Sequence, residues 1–336
     1  TEMRRPVAIL GDLQGPRIRV GHLAEAVELT EGAELVLAHE SEARAGELPV
    51  TYADLARDVS AGSRILLDDG LLALDVLSVD GARVRTRVVH GGLLKSHKGM
   101  NLPGVQVSAP ALTEKDRLDI AFAIAHEVDY LALSFVRRPA DMEELRALVP
   151  KGLLLVAKIE KDSALEDIDE ILKVSDAVMV ARGDLGVELP FEEVPMAQKR
   201  IIALANRHGR PVITATQMLE SMIENPRPTR AEASDVANAI IDGTDAVMLS
   251  AETAAGSYPL LAAQAMVRIA REAERHPVPR GLGADRVAPG RAGVEETIAG
   301  ATVTAVRLLG AAAVIVFTKS GFSARIVAAR RPDVPI

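Results

Sequence analysis

Cysteine is missing from all 336 residues, so neither a disulfide nor a thiolate-held metal can form. Positive charge is in deficit, with 39 Lys and Arg against 47 Asp and Glu and a net charge of −8. That balance argues against a nucleic-acid or anionic-membrane binder, which would carry a basic face. It leaves room for anionic small molecules, because a cleft can gather its own Lys and Arg. No apolar run reaches the ~18 residues of a membrane span, and the start has no signal-like pattern. With the missing cysteine, this fits a cytoplasmic protein. Hydrophobic residues make up 48% and charged residues 26%, the balance of a globular chain with a large core. The length allows two or three domains.

From the middle onward, short apolar runs recur: Tyr130–Ser134, Leu153–Lys158, Ala177–Ala181, Val212–Thr216 and Ala246–Ser250. Each is nearly continuous, as a parallel strand covered on both faces requires. Helical patterns lie between or beside them, over Asp141–Leu148, Leu165–Lys173, Pro195–His208 and Arg230–Ile241. The repeat of roughly 25 to 35 residues is that of a βα unit. Reactive side chains gather at the C-terminal ends of the runs: Ser134, Lys158 with Glu160, Arg182 with Asp184, Thr216, and Ser250 with Glu252. Barrels of the (β/α)8 type build their active sites on that face. The glycine-rich loop of an open doubly wound sheet is not seen. The pattern predicts a TIM-type barrel, incomplete here at six strands counting Val7–Leu10.

Between the first run and the second lies a stretch of different character. Leu71–Val79 and Ala82–Val89 alternate around Asp80-Gly81, a hairpin signal that places Arg83, Arg85 and Arg87 on one face and Val84, Thr86 and Val88 on the other. The expected division is a barrel at 1–16 and 109–278, an inserted β-rich lid at 17–108, a Gly/Pro/Ala-rich linker at 279–293, and the start of a C-terminal α/β domain at 294–336. In that last part the pattern predicts a helix over Glu295–Leu309, a strand over Ala313–Thr318 and a second helix after Gly321. The chain opens on Thr1 and stops at Pro335-Ile336 in mid-pattern, and both ends read as cut.

Lys158 and Glu160 are two apart on a strand, so both point to one side. Asp184 follows the next strand. Two carboxylates on adjacent strands, with no His or Cys nearby, suit a hard cation such as Mg²⁺. A lysine beside it suits an anionic substrate whose charge grows during reaction. Thr216, one strand further round, offers a hydroxyl. Singly these are ordinary features: an ion pair, a turn, a strand-end cap. Their joint placement at successive strand ends points to an electrostatic site for a phosphate or an enolate.

Several segments carry a closer resemblance. Leu154–Leu165 (LLVAKIEKDSAL), Val180–Leu189 (VARGDLGVEL), Ala215–Gly256 with its ATQMLESMIENPRPTRAEASDVANAIIDGTDAVMLSAETAAG, His97–Pro103, Ala111–Asp116 and Asp12–Arg19 together resemble the pyruvate kinase family, in order and over nearly the whole chain. The resemblance implies transfer of phosphate from phosphoenolpyruvate to ADP, giving pyruvate and ATP. It implies that Lys158 steadies the moving phosphoryl group and the enolate, and that Glu160 and Asp184 hold Mg²⁺ or Mn²⁺. It further implies that Gly183, Asp184 and Thr216 cradle the substrate, with Thr216 near the point of enolate protonation. Arg19 and Lys98, with Asp69 from the lid, would meet the nucleotide. A homotetramer is implied for the intact enzyme, and neither nucleic acid nor membrane as partner.

The chain departs from that pattern in three places. Two βα units that precede Val7–Leu10 in the family have no counterpart, so the chain is expected to be a fragment. The C-terminal domain stops short of the family's effector loop. Where many relatives have Asp-Thr-Lys-Gly-Pro-Glu, this chain has Asp12-Leu13-Gln14-Gly15-Pro16-Arg17. Leu13 removes an oxygen ligand, and Arg17 puts a fixed positive charge where K⁺ would help; the implied enzyme is K⁺-independent. Two readings compete with an active kinase: an inactive fragment or pseudoenzyme that keeps phosphate and metal binding, and another barrel enzyme of enolate chemistry. The lid with Lys98 argues against the last.

Overall fold

The computed structural model describes residues 7–275, 293–332 and 334–336. The expected linker, 279–293, lies outside them except for Gly293. The chain falls into two compact units, Thr1–Val174 with Ala181–Ala197, and Ser175–Val180 with Gln198–Ile336. Among the described residues no helix is long and apolar enough to cross a membrane.

The first unit opens with β1 (Leu10–Leu13) and then enters a β-rich segment: β2 (Val27–Leu29), β3 (Glu34–His39), β4 (Leu48–Val50), one helical turn α1 (Leu55–Asp58), β5 (Arg64–Leu67), β6 (Leu72–Asp80), β7 (Arg83–His90), β8 (Gly92–Leu94) and β9 (Met100–Asn101). Six of these strands form one sheet in the order β4-β3-β7-β6-β5-β9, and β2 pairs with β8. The β6–β7 hairpin closes with Asp80 opposite Arg83, turning through Gly81 at φ 57°, where a side chain would be strained. The alternation along β7 sorts the faces. Val84, Thr86 and Val88 are buried, while Arg83 pairs with Glu47, and Arg85 and Arg87 share Glu34. Leu37, Ile65, Leu67, Leu74 and Leu94 fill the core of this sheet, each worth about 2 kcal/mol by burial. The segment's entry and exit run side by side: Arg19 bridges Gly99 antiparallel, with Val20 N donating to Lys98 O and Met100 N to Ile18 O, both at 2.9 Å.

The same unit continues with α2 (Glu114–Ala125), β10 (Tyr130–Leu133), α3 (Pro139–Leu148), β11 (Leu154–Ile159), α4 (Asp162–Glu166), α5 (Ile168–Val174) and, after a strand of the second unit, α6 (Arg182–Glu188). Strands β1, β10 and β11 are parallel neighbours in register, Leu13 beside Leu133 and Leu133 beside Ala157. Ser134 and Lys158 therefore follow at the same level, which is why strand-end residues distant in sequence meet. Asp116 is buried in the capping box of α2 with Thr113, and its Oδ1 accepts from Gly15 N at 3.1 Å. This ties down the loop after β1.

The expected strand Val7–Leu10 is displaced: the ladder begins at Leu10, because its partner β10 begins at Tyr130, and Val7 and Ile9 are exposed. The expected helix Leu165–Lys173 is two, divided at Asp167.

The second unit holds most of β12 (Ala177–Ala181) and α7 (Val194–Arg207), then β13 (Val212–Ala215), α8 (Arg230–Asp242), β14 (Ala246–Val247), α9 (Ala251–Ala254), α10 (Pro259–Arg275), α11 (Val294–Leu309) and α12 (Phe322–Ala329). Val178 N donates to Pro211 O at 2.9 Å, and β13 pairs parallel with β14. Thr229 and Glu232 form a capping box at the start of α8, and Gly243 ends it at φ 102°. β14 is shorter than the apolar run Ala246–Ser250. The expected strand Ala313–Thr318 is not formed among the described residues. Ile315 and Phe317 are exposed there, and Val314 N reaches Pro335 O at 2.8 Å.

Candidate active site

Lys158 follows Ala157 in β11 and points to the C-terminal end of the parallel strands. Its Nζ donates to Asp12 Oδ1 and Oδ2 at 3.1 and 3.0 Å and to Ser134 Oγ at 2.8 Å, and pairs with Glu160 Oε1 at 3.1 Å. Glu160, at 1% exposure, turns its other oxygen to Phe135 N at 2.7 Å. Burial opposes the Lys158 charge, but Glu160 and Asp12 outweigh it and hold the ammonium above the ordinary lysine pKa. Burial pushes Glu160 up to about 7; Lys158 pulls against that rise and Asp184 adds to it. Asp184, in the first turn of α6, is likewise raised by burial, opposed by Lys158 and reinforced by Asp69.

Two carboxylates that both resist ionisation, Glu160 being raised further by the like charge of Asp184, fit an oxygen-bound divalent cation. Among the described residues there is no group of three or more His, Cys, Asp or Glu able to hold a metal. The remaining positions around such an ion would fall to water, backbone or substrate oxygens, the habit of Mg²⁺.

These side chains line a cleft of about 540 Å³. Its walls carry six cations (Arg17, Arg19, Lys98, Arg137, Lys158, Lys161) against five carboxylates (Asp12, Asp68, Asp69, Glu160, Asp184). Left alone, the two signs nearly cancel, and an anion gains little. A divalent ion held by two of the carboxylates would tip the balance toward anion binding.

The β-rich segment supplies the outer wall. Lys98 pairs with Asp68 at 2.7 Å, and that bond raises its pKa. Asp68 and Asp69 both sit at positive φ, 52° and 55°, in the turn between β5 and β6. Arg19 lines the cleft, its backbone N donating to Thr51 Oγ1 at 3.0 Å. Arg17 lies against Gln14, and its guanidinium pKa is lowered by burial and then by Arg19. Leu13 is 2% exposed and presents no oxygen.

Thr216 belongs to the second unit. It follows β13 at φ 66°, with Gln217 at 54°, and its Oγ1 donates to Ala215 O at 2.6 Å. A β-branched residue in the left-handed region is strained, and such strain gathers at functional sites.

The first unit thus brings together Lys158, Glu160, Asp184, Arg19, Lys98 and Asp69, with Asp12, Leu13 and Arg17 beside them. Gly183 enters the opening turn of α6. Asp12, singled out in the sequence only as part of a cation region, proves to be a partner of Lys158. Sequence reasoning passed over Lys161, Glu188, Asn101 and Arg137. Lys161 was one position from the Lys-x-Glu pair and could have been found there.

Residues 1–263 match the family model described as pyruvate kinase, barrel domain, and residues 296–336 the one described as pyruvate kinase, alpha/beta domain. Over 340 residues the chain is 48% identical to a pyruvate kinase of Geobacillus stearothermophilus, a match covering 99% of this chain and 58% of that protein. It is 44% identical over 342 residues to a pyruvate kinase of Clostridium acetobutylicum, covering 100% of this chain and 72% of the relative. A crystal structure of a pyruvate kinase from Cryptosporidium parvum matches with a TM-score of 0.90 at 37% identity, covering 98% of this chain and 70% of that one. The chain therefore spans less than two thirds of the length of some of the relatives it matches.

Proposed function

The chain belongs to the pyruvate kinase family, and from that premise we propose that its cleft transfers the phosphoryl group of phosphoenolpyruvate to ADP. Its α/β architecture is the barrel domain of that family. The observation that carries the proposal is Lys158, an ammonium held charged on three acceptors beside two buried carboxylates.

In the reaction the phosphorus–oxygen bond to the enol breaks while a bond forms to the terminal oxygen of ADP. The enolate left behind then takes a proton on carbon and becomes pyruvate. Lys158 offsets the charge that collects on the moving phosphoryl oxygens and on the enolate. Asp12, Ser134 and Glu160 hold its ammonium in place before substrate arrives, so little reorganisation remains to be done. Glu160 and Asp184 would hold Mg²⁺ or Mn²⁺, which when bound supplies Lewis-acid neutralisation of phosphate charge. Gly183 and Asp184 contribute backbone to the substrate cradle. Thr216, held in its strained turn, is the hydroxyl assigned to the protonation end of the reaction. Lys98 and Arg19 meet the nucleotide phosphates, with Asp69 beside them on the β-rich lid, 17–108, which excludes water from the cleft. A cytoplasmic location and a homotetrameric enzyme belong to the same reading.

Leu13 and Arg17 extend the proposal to the monovalent ion. A buried aliphatic side chain and a fixed guanidinium replace what a K⁺ site needs, so the enzyme works without K⁺.

The test is pyruvate formation from phosphoenolpyruvate, ADP and Mg²⁺, with Lys158→Ala as control. Turnover that disappears in the control supports the assignment. Turnover undiminished in Lys158→Ala would overturn it.

A further inference from the structure

Glu188 has no part in the chemistry above, yet it is a buried carboxylate, with its side chain 3% exposed. It closes the last turn of α6, one helical turn after Asp184, on the same face. Its Oε1 accepts from Asn101 Nδ2 at 3.2 Å and from Lys161 Nζ. Asn101 lies in β9, inside the β-rich lid; Lys161 lies just beyond β11, with its ammonium 5.8 Å from the centre of the Phe135 ring. One carboxylate oxygen therefore joins the lid to the strand ends of the parallel sheet.

The same turn of α6 meets the lid a second time. A Cβ placed on Gly70, in the lid turn that carries Asp68 and Asp69, would stand 3.7 Å from Val187 Cγ1. Two lid segments thus approach the last turn of α6, Asn101 by a hydrogen bond to Glu188 and Gly70 by its nearness to Val187. α6 is only seven residues long, so a shift of its last turn would be carried to Asp184 in its first.

Resting on the reading of the cleft as a kinase site, we propose that Glu188 is a positioning residue that latches the lid over the cleft through Asn101, with Lys161 as the counter-charge that holds its carboxylate in place. The cleft is set up for nucleotide when the latch is made and loses that arrangement when it breaks. ADP, which that reading places against Arg19, Lys98 and Asp69 of the lid while its terminal oxygen faces the phosphoryl group at Lys158, would bind the latched state.

The test uses the absence of cysteine. Dyes are placed on the otherwise intact chain at Ala82→Cys, on the exposed hairpin of the lid, and at Lys151→Cys, on the exposed turn before β11. Energy transfer between the dyes then reports the ratio of closed to open lid. Asn101→Ala leaves the Glu188–Lys161 pair intact and removes one hydrogen bond to a charged acceptor, so the ratio should fall about tenfold. Glu188→Ala should give a fall of the same order, and the double variant should fall no further than either single one. In kinetics, Asn101→Ala should raise the KM for ADP several-fold with kcat at saturation within about twofold. A general loss of structure would lower kcat as well.

An unchanged dye ratio in Asn101→Ala would overturn the latch, whatever the activity. So would additive effects in the double variant. A lid shift in a protein that shows no phosphoryl transfer would support the latch and sink the kinase reading instead, so the two failures are told apart.

Discussion

Replacing Lys158 by Met is the sharpest test of how the site is held together. The Lys158 side chain is 13% exposed, and its ammonium touches Asp12, Ser134 and Glu160. Methionine keeps most of the length of the side chain and removes the charge. Glu160 then stands buried with Phe135 N donating to it and with the like charge of Asp184 acting on it. Breaking a buried pair by removing one partner costs about 3 kcal/mol or more, chiefly because the surviving charge is stranded. Adding Glu160→Gln to Lys158→Met removes that stranded charge and should return at least half of the loss. The measurement is urea unfolding followed by circular dichroism, with EDTA present so that adventitious cations cannot stand in for the lysine. The expected order of stability is wild type, then the double variant, then Lys158→Met. A double variant no more stable than Lys158→Met would refute the argument, since the cost would then lie in lost packing. Lys158→Met as stable as wild type would refute it more directly.

Four further outcomes follow from the same geometry. Turnover should change less than twofold when K⁺ replaces Na⁺ at constant ionic strength; a rise of tenfold would contradict the reading of Leu13 and Arg17. Leu74→Ala, at a site with 0% exposure in the core of the β-rich segment, should cost about 3 kcal/mol, and a loss under about 1 kcal/mol in urea unfolding would mean that this core is not packed as described. Burial works against the Glu232 carboxylate, but its bonds from Ser221 and Thr229 outweigh it and hold the pKa below the ordinary glutamate value. Its contribution to stability is therefore full above the unfolded value of about 4.3 and is lost as pH falls through the folded one. Glu232→Gln should be less stable than wild type by about 1 kcal/mol at pH 6, with the gap closing toward pH 3; a gap independent of pH would rule this out. Thr216→Gly should leave stability within about 1 kcal/mol of wild type, because relief of the positive φ offsets the entropy of glycine, while pyruvate formation falls.

What the sequence disclosed about this site, and what it hid, divides along one physical line. Lys158, Glu160 and Asp184 were legible because strand ends are marked by a change from apolar to polar, and parallel register then sets those ends level. The β6–β7 hairpin was legible because Asp80-Gly81 allows one kind of turn and the period-two pattern allows one facing. Asp12 as partner of Lys158 was not legible, since it depends on β1 lying beside β10 and on both side chains reaching Ser134. Glu188 and Asn101 were hidden for the same reason: 87 residues separate them, and nothing local in either marks the other. The strand expected at Ala313–Thr318 failed on a different count, because β propensity needs a neighbouring strand to act on. The positive φ of Thr216 is imposed by tertiary packing against its intrinsic preference, and a residue's identity gives no warning of that.

The paired entry and exit of the β-rich segment, Ile18–Val20 against Lys98–Met100, also has a mechanical meaning. A single covalent tether would let the segment swivel about every axis. Two antiparallel tethers laced by backbone hydrogen bonds make a flat ribbon, which folds readily across its face and resists both shear along its length and bending in its own plane. The ribbon therefore acts as a leaf spring, confining travel to a narrow arc. Small errors in the angle of approach are filtered out before any side chain from the segment reaches the cleft.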